Sequence, residues 1–214
     1  GACQTCGRGD PHFAPEENGY YMLASAPQLR WFGNLIAQGQ TYAKAKLTED
    51  IDFTEYGQIE TTGTYFNGEL DGQNHLLTIH IESVPDQDGP APFRCLGGIV
   101  RNLRVSGDIN ASTKYAGSIA GHTSNEAVIE NCYSDVNIVS TLVGDGTHGG
   151  FIGVVDGVTS MNGCMFAGSL KSPELVTTSC GGLAGWANNT FTVTNSLLIG
   201  DVDVSAESSY TNSP

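Results

Sequence analysis

A short pattern recurs at a constant spacing in the second half of the chain, and this repeat limits the possible folds more than any other feature. The segments Ile119-Ala120-Gly121, Phe151-Ile152-Gly153 and Leu183-Ala184-Gly185 share the pattern, and the two intervals between their last glycines are equal. Each segment also follows an earlier glycine: Gly117, Gly150 and Gly182. The spacing of about 32 residues lies within the range of ~20–50 that is typical of solenoids and propellers.

A second pattern with a similar period lies between these segments. It begins at Asn102, Asn131, Gly163 and Asn195; the first interval is slightly shorter, and the other two equal the spacing of the first pattern. The residues one, three and seven positions later are mostly apolar or small, and alternation of period two indicates a strand with one buried face. Short strands between Gly, Asn, Asp and Ser turns predict an all-β fold, a parallel β-solenoid. A β-propeller is the alternative, but its blades usually have ~40 residues or more.

The repeat assigns structural roles to its glycines and asparagines. Glycine at a recurrent corner permits a positive φ and close approach of stacked backbones. Because equivalent residues of stacked coils lie ~4.8 Å apart, Asn102, Asn131 and Asn195 are expected to form a ladder. Their amides would bond to one another or to the turn backbone.

The amino-terminal part has a different pattern. Ser25 and Gln28 have the spacing of a capping box, with Pro27 early in the first turn. Apolar residues follow at helical spacing, so the sequence predicts one helix at about 25–38 that covers the open first coil. Residues 1–20 are expected to be a flexible segment and residues 21–214 the solenoid, with the repeats starting at about residue 99. No capping pattern follows the last repeat, so we expect a monomeric fragment of a longer chain, truncated at its C-terminus.

Three stretches resemble a known family, the proteins that carry the GLUG motif. These are the acidic strand segment Leu47–Phe53, the segment Phe66–His75 with the pattern F-x-G-x-(F/L)-D-G-x-x-H, and the glycine-rich Gly181–Gly185. The segment Gly117–Gly121 departs by one extra residue, and Gly163 stands where the other repeats have Asn. The resemblance implies a right-handed parallel β-helix in a bacterial cell-surface or secreted protein. Such proteins include adhesin-like proteins and the non-catalytic part of IgA-type metallopeptidases.

Composition excludes several partners. The chain has nine basic and 23 acidic residues, a formal net charge of −14. A nucleic-acid-binding protein needs clustered Lys and Arg to displace counterions, so no nucleic acid is expected. No apolar run reaches ~18 residues, so no membrane insertion by this segment is expected.

Catalysis by a glycan-active enzyme, a polysaccharide lyase or glycoside hydrolase of β-helix type, is the alternative function. Such a site needs two carboxylates ~5–10 Å apart. The candidates are Asp108, Glu130, Asp135, Asp201 and Asp203, for which solvated surface positions are the simpler interpretation. No catalytic residue is assigned, and neither a metal nor a cofactor is expected. The absence of an H-E-x-x-H motif argues against a zinc peptidase.

The six cysteines are consistent with an extracellular protein. Cys132 and Cys164 occupy equivalent repeat positions, where they are either buried small residues or a disulfide. Cys3 and Cys6 form a C-x-x-C pair, for which a local disulfide or an unordered tail is favoured over zinc. The nearby Arg8-Gly9-Asp10 is a tripeptide of the integrin-binding type that also arises by chance.

Exposed aromatic residues in the repeats are the candidates for contact with a ligand. Tyr133 is expected to point outward if Cys132 points inward, Trp186 follows a glycine-rich turn, and Tyr115 precedes the first repeat segment. The sequence therefore predicts an extracellular, non-catalytic adhesion or binding module, or a spacer, that contacts glycan or host protein.

Overall fold

The computed structural model describes residues 12–142, 144–172 and 179–204. Within these residues it contains one helix, α1 (Ala26–Ala37), and many short strands. In chain order the strands are β1 (Glu16–Glu17), β2 (Tyr20–Leu23), β3 (Lys44–Leu47), β4 (Ile51–Asp52), β5 (Glu69–Asp71), β6 (Leu76–Glu82), β7 (Phe93–Leu96), β8 (Ile99–Arg101), β9 (Arg104–Ala111), β10 (Ala120–Thr123), β11 (Glu126–Glu130), β12 (Tyr133–Ser134), β13 (Asn137–Ser140), β14 (His148–Gly149), β15 (Ile152–Val155), β16 (Val158–Asn162), β17 (Met165–Phe166), β18 (Ser169–Ser172), β19 (Cys180–Gly181), β20 (Ala184–Ala187), β21 (Phe191–Thr194), β22 (Leu197–Leu198) and β23 (Asp201–Val204).

The strands stack as a parallel β-solenoid of about five turns, so the predicted fold class is confirmed. Among the described residues, an eight-stranded sheet contains β1, β2, β3, β5, β8, β11, β16 and β21. A four-stranded sheet contains β7, β10, β15 and β20. A nine-stranded sheet contains β4, β6, β9, β12, β13, β17, β18, β22 and β23, and β14 pairs with β19.

The sequence period is the offset between paired strands. Ile152 of β15 pairs with Ala120 on one side and with Ala184 on the other, each exactly one repeat away along the chain. Asp108 pairs with Asn137, and this offset reproduces the shorter first interval of the second pattern. Each coil therefore adds one strand to the eight-stranded sheet and one to the four-stranded sheet, whereas the later coils add two short strands each to the nine-stranded sheet. Equivalent residues form columns along the stack.

The buried positions follow the alternation that the sequence shows. Leu103, Val105 and Ile109 of one coil are at most 1% exposed, and Cys132, Ser134 and Ile138 of the next are at most 2% exposed. Apolar columns of this kind fill the interior, and burying each large side chain contributes ~1.5–3 kcal/mol relative to leaving it exposed.

Helix α1 covers the interior of the first coil. Its apolar face, Leu29, Phe32 and Ile36, is fully buried. The Phe32 ring meets Phe66 edge-on at 5.8 Å, and Phe66 stacks on Phe93 at 4.9 Å, so an aromatic column runs from the helix into the coils. The helix thus has the covering role that its position predicts.

The cap of α1 differs in detail from the expected capping box. Ser25 has an extended backbone and its side chain makes no capping hydrogen bond. Gln28 instead accepts a hydrogen bond from the backbone N–H of Ala24 at 2.8 Å. Half of the capping box is therefore formed, one residue earlier than predicted.

The stack begins earlier than the visible repeat. Strands β2, β3, β5 and β8 already pair in parallel, although α1 and long connections separate them along the chain. Within residues 1–20, the segment expected to be flexible, Glu16–Glu17 pairs with β2 as the antiparallel strand β1. Residues 1–11, with Cys3, Cys6 and Arg8-Gly9-Asp10, lie outside the described residues.

Candidate functional site

A cleft of about 470 Å³ lies on the outer face of the four-stranded sheet. Three columns of the repeat supply nearly all of its lining. Tyr115, Thr147 and Ser179 occupy equivalent repeat positions in the loops that lead into three successive coils, and Asp145 adjoins them. Val154 and Trp186 come from paired positions of β15 and β20, and Asn188 follows β20.

Glycines of the repeat let the loops lie directly on the sheet. A Cβ at Gly153 would be 2.5 Å from the Cα of Tyr115, and a Cβ at Gly185 would be 2.7 Å from the carbonyl oxygen of His148. Real Cβ atoms do not approach that closely, so these positions require glycine because of space. The glycines of the repeat segments thus place the loop wall of the cleft beside the sheet.

Two of the lining residues have a strained backbone. Ten non-glycine residues in the described part of the chain have positive φ, and seven of them are Asn or Asp, which tolerate it. The other three are Gln73, Tyr115 at φ 67° and Thr147 at φ 53°. A bulky residue in this region costs ~1–3 kcal/mol and persists only where its surroundings enforce it, commonly at functional sites.

The aromatic side chains of the cleft are held by defined contacts. Trp186 is 49% exposed, and its indole N–H donates to Asn188 Oδ1 at 2.7 Å. Asn188 Nδ2 in turn donates to Asp156 Oδ1 at 2.8 Å. The Tyr115 ring meets the His122 ring edge-on at 4.6 Å, and His122 Nδ1 lies 3.1 Å from Asp156 Oδ2. Asp156 therefore connects the two aromatic walls.

An ion pair forms one edge of the cleft. Lys114 Nζ lies 2.9 Å from Asp145 Oδ2, and the Thr147 hydroxyl donates to Asp145 Oδ1 at 2.6 Å. The hydrogen bond from Thr147 and the contact with Lys114 lower the pKa of Asp145, and Asp145 raises the pKa of Lys114. Both groups are therefore charged at neutral pH.

A second cavity, of about 440 Å³, lies beside the last described coil. Apart from Trp186, its lining offers no hydrogen-bonding side chain: Leu183, Ala184, Gly185, Ala187, Phe191 and Val193. We take the first cleft as the candidate site because it combines aromatic surface with polar groups.

Tyr133 does not reach this cleft. It lies on β12 of the nine-stranded sheet, half-buried between Arg104 and Met165 of the neighbouring coils. Cys132 beside it points inward, so the outward orientation expected for Tyr133 agrees with the structure. Of the three aromatic candidates, the structure brings Tyr115 and Trp186 together and leaves Tyr133 on another face.

The asparagine positions form a partial ladder. Asn131 Nδ2 donates to Asn102 Oδ1 at 3.3 Å, and Asn102 Nδ2 donates to Asp71 Oδ1 at 3.0 Å. Gly163 interrupts the column, and Asn195 bonds to Asn162 at 3.0 Å instead. All four repeat starts have φ between 50° and 66°, which explains why each of these positions is either Asn or Gly.

The segment Phe66–His75 has a structural role. Phe66 belongs to the aromatic column, a Cβ at Gly68 would collide with the carbonyl oxygen of Ala43, and Asp71 accepts hydrogen bonds from Asn102 and Gln73. His75 Nδ1 lies 3.1 Å from Asp50 of the preceding coil. The signature residues therefore connect adjacent coils.

Cys95, Cys132, Cys164 and Cys180 are free thiols in the structure, and all four are buried. Cys132 and Cys164 occupy their positions as small interior residues, and no disulfide joins them. The hydrogen bond with Cys164 and burial raise the pKa of Cys132, so that its thiol stays protonated.

The five carboxylates considered for catalysis lie outside the cleft. Asp108 contacts His80 at 2.6 Å, and the residues Asn137 and Ser169 separate it from Asp201 along one column. Three steps of ~4.8 Å place those two carboxylates beyond the usual catalytic separation. Asp203 pairs with Lys171, Glu130 lies on the eight-stranded sheet between Arg101 and Asn162, and Asp135 is exposed between β12 and β13.

The sequence interpretation missed Asp156, Asn188 and His122. The signal that reveals them is the period itself: Asp156 and Asn188 are one repeat apart, as are His122 and Val154. Applying the period to the polar residues, and not only to Gly, Asn and the apolar positions, would have aligned the columns of the cleft.

The fold and site define a β-solenoid with a lateral cleft. Residues 112–139 match the family model of the GLUG motif, as expected for a GLUG-motif repeat protein, so the resemblance seen in the sequence is confirmed over this segment. The match spans the connection that carries Tyr115 together with β10, β11, β12 and most of β13. No curated protein and no solved structure matches the chain.

The structure also bears on membrane and metal contacts within its described residues, 12–142, 144–172 and 179–204. In that part of the chain no helix has the length and apolar character needed to span a membrane. No group of three or more His, Cys, Asp or Glu side chains there has an arrangement suited to a metal ion.

Proposed function

We propose that this chain is a non-catalytic binding module of an extracellular bacterial protein, and that the cleft between Tyr115 and Trp186 binds glycan. The observation that carries the proposal is the strained backbone of Tyr115 and Thr147 within one aromatic-lined cleft. Strain of this kind is retained where it positions functional side chains.

The chemistry of the cleft suits a sugar. A pyranose ring has an apolar C–H face and a polar rim of hydroxyl groups, so it needs aromatic surface beside hydrogen-bonding groups. Trp186 and Val154 provide apolar surface, whereas Asn188, Thr147 and Ser179 provide polar atoms. Because the Trp186 indole N–H is bound to Asn188, the ring orientation is fixed before a ligand arrives, which lowers the entropic cost of binding.

The extracellular and adhesive parts of the proposal rest on the resemblance to GLUG-motif proteins of the bacterial surface. Surface labelling of intact cells tests the location. An intracellular chain, labelled only after cell lysis, contradicts it.

Binding is tested with the full chain on arrays of glycans and extracellular proteins. Trp186→Ala is expected to weaken glycan binding about tenfold or more, since buried aromatic contacts dominate interface energies. Tyr115→Ala should have a similar effect.

Two controls make the test specific. Tyr42, which is 74% exposed and lies near the first coil, serves as an aromatic site without a role, and Tyr42→Ala should leave binding unchanged. Tyr133→Ala tests the nine-stranded sheet. Loss of binding in Tyr133→Ala alone would move the site to that sheet, and binding to proteins but to no glycan would refute the proposed function.

A further inference from the structure

The charged groups of the cleft are already compensated by protein partners. Both oxygens of Asp145 are used, one by the Thr147 hydroxyl and the other by Lys114. Both oxygens of Asp156 are also used, by Asn188 Nδ2 at 2.8 Å and His122 Nδ1 at 3.1 Å. Each carboxylate therefore has its partners before any ligand binds.

The polar groups that remain carry no charge. Tyr115 and Ser179 both line the cleft, and the hydroxyl of neither is hydrogen-bonded to another residue in the described part of the chain. The amide of Asn188 retains one N–H and one acceptor position beyond its two bonds. The open hydrogen-bonding capacity of the cleft thus consists of hydroxyl and amide groups.

We infer that the ligand of this cleft is an uncharged glycan, an inference that rests on the proposed function. Among the described residues, the lining pairs free hydroxyl and amide groups with aromatic and apolar surface, and it presents no unpaired charge of either sign.

In the described part of the cleft, an anionic glycan meets no unpaired cation. Lys114, at the edge of the cleft, already shares its ammonium with Asp145, whose carboxylate repels a uronate or sulfate placed beside it. Elsewhere in the described chain, lysines and arginines lie on α1 or on the other sheets, except Arg94 on β7, at the opposite edge of the four-stranded sheet from β20. The net charge of −14 further repels polyanions at low ionic strength.

A cationic glycan is disfavoured for the converse reason. Its ammonium groups would compete with Lys114 for Asp145, and with His122 and Asn188 for Asp156. Because both carboxylates already have donors in place, an ammonium group gains less from either of them than it would from an unpaired carboxylate.

The test compares three polysaccharides of similar length by calorimetry: an uncharged glucan, a polyuronate and a deacetylated amino-sugar polymer. We expect the uncharged polymer to bind at least about tenfold more tightly than either charged one. Its Kd should change less than about twofold between 50 and 500 mM NaCl, because no ion pair forms with the ligand.

Two variants test the compensation directly. Asp145→Asn frees the Lys114 ammonium and should increase polyuronate affinity at least about threefold, with a new salt dependence. Asp201→Asn makes the same change in net charge on the nine-stranded sheet and should leave polyuronate affinity unchanged. Thermal unfolding of both variants verifies that they fold.

The outcomes separate the two proposals. Tighter binding of a charged polymer by the parent chain, lost in Trp186→Ala, overturns the ligand class and leaves the proposed function standing. Equal effects of Asp145→Asn and Asp201→Asn also contradict the inference. If the chain binds none of the three polymers and no glycan on the arrays, both the uncharged-glycan inference and the proposed function are overturned.

Discussion

The buried imidazole of His148 should make the solenoid lose stability in mild acid. His148 is fully buried, and its Nδ1 accepts a hydrogen bond from the Ala116 backbone N–H at 3.1 Å. The proton therefore sits on Nε2, which lies 2.8 Å from the Ser140 hydroxyl. Protonation of Nδ1 would place two N–H groups against each other in the interior. Burial lowers the pKa of His148 to about 4, an effect that Asp145 opposes.

The direction and size of the effect follow from that pKa. In the unfolded chain His148 titrates near 6.5, so the unfolded state takes up a proton before the folded state does. Stability is complete above pH 6.5 and falls as the pH decreases toward 4. At 1.36 kcal/mol for each pH unit between the two pKa values, the free energy of unfolding falls by about 2 kcal/mol at pH 5 and by about 3 kcal/mol in all.

The assay is guanidinium unfolding followed by circular dichroism at several pH values from 7.5 to 4.5. His148→Gln should be less stable than the parent at pH 7.5, because it loses imidazole packing and hydrogen bonds, and the difference should shrink as the pH falls. His80→Gln changes a histidine on the outer face of the nine-stranded sheet and should keep the parental loss in acid.

Equal loss of stability in the parent chain and His148→Gln between pH 7.5 and 5 would refute the reasoning. If His148→Gln does not fold, NMR of the imidazole nitrogens in the parent chain gives a second test. A doubly protonated His148 ring at pH 5.5 in the folded protein would contradict the assignment.

Three further predictions concern the cleft and its supports. Tyr115→Gly should remove glycan binding, and the variant should unfold at the same temperature as the parent chain or higher. The reason is that glycine relieves a backbone strain of ~1–3 kcal/mol at φ 67°. Marked destabilisation would show that the tyrosine ring is mainly structural. Gly153→Ala should destabilise the protein by about 2–4 kcal/mol in thermal unfolding through its collision with the Tyr115 loop. Gly19→Ala changes a residue at φ 80° with open space around it, so it should lower the free energy of unfolding by only about 1 kcal/mol. Equal losses in Gly19→Ala and Gly153→Ala would contradict the steric explanation for Gly153. Asn131→Ala should lower the free energy of unfolding by about 1 kcal/mol more than Asn131→Gly, as measured by chemical unfolding. Glycine retains the left-handed backbone, and Gly163 already occupies the equivalent position in the next coil. The reverse order would assign the stability to the side-chain hydrogen bond of Asn131 alone.

The fold could be derived from the sequence because, in a solenoid, the spacing of the sequence repeat equals the offset between paired strands. The offset between Ile152 and Ala184 in the sheet equals the spacing of the repeat segments to which they belong. The helix could be read as well, since Leu29, Phe32 and Ile36 have helical spacing. The early coils could not, because α1 and long connections between β2 and β5 conceal their period.

The candidate site was only half predictable. Trp186 was identified as exposed because a large side chain after a glycine-rich turn has little room inside. Tyr133 was an equally reasonable choice from alternation alone, and only the assignment of strands to sheets separates it from Tyr115. The role of Gly153 could be predicted only in part. The sequence predicts that another backbone segment packs closely against this glycine. That the segment is the Tyr115 loop, which leads into the preceding coil, follows only from the three-dimensional path of the chain.

The origin of the cleft walls in three successive coils has a consequence for dynamics. In a solenoid each coil contacts only its neighbours, so the terminal coils separate from the stack at lower free energy than the middle ones. A ligand held between the Tyr115 loop and Trp186 would act as a non-covalent cross-link across those coils. Binding of the ligand to the cleft therefore opposes the separation of these coils. Amide hydrogen exchange in β20 should slow as the ligand concentration exceeds its Kd.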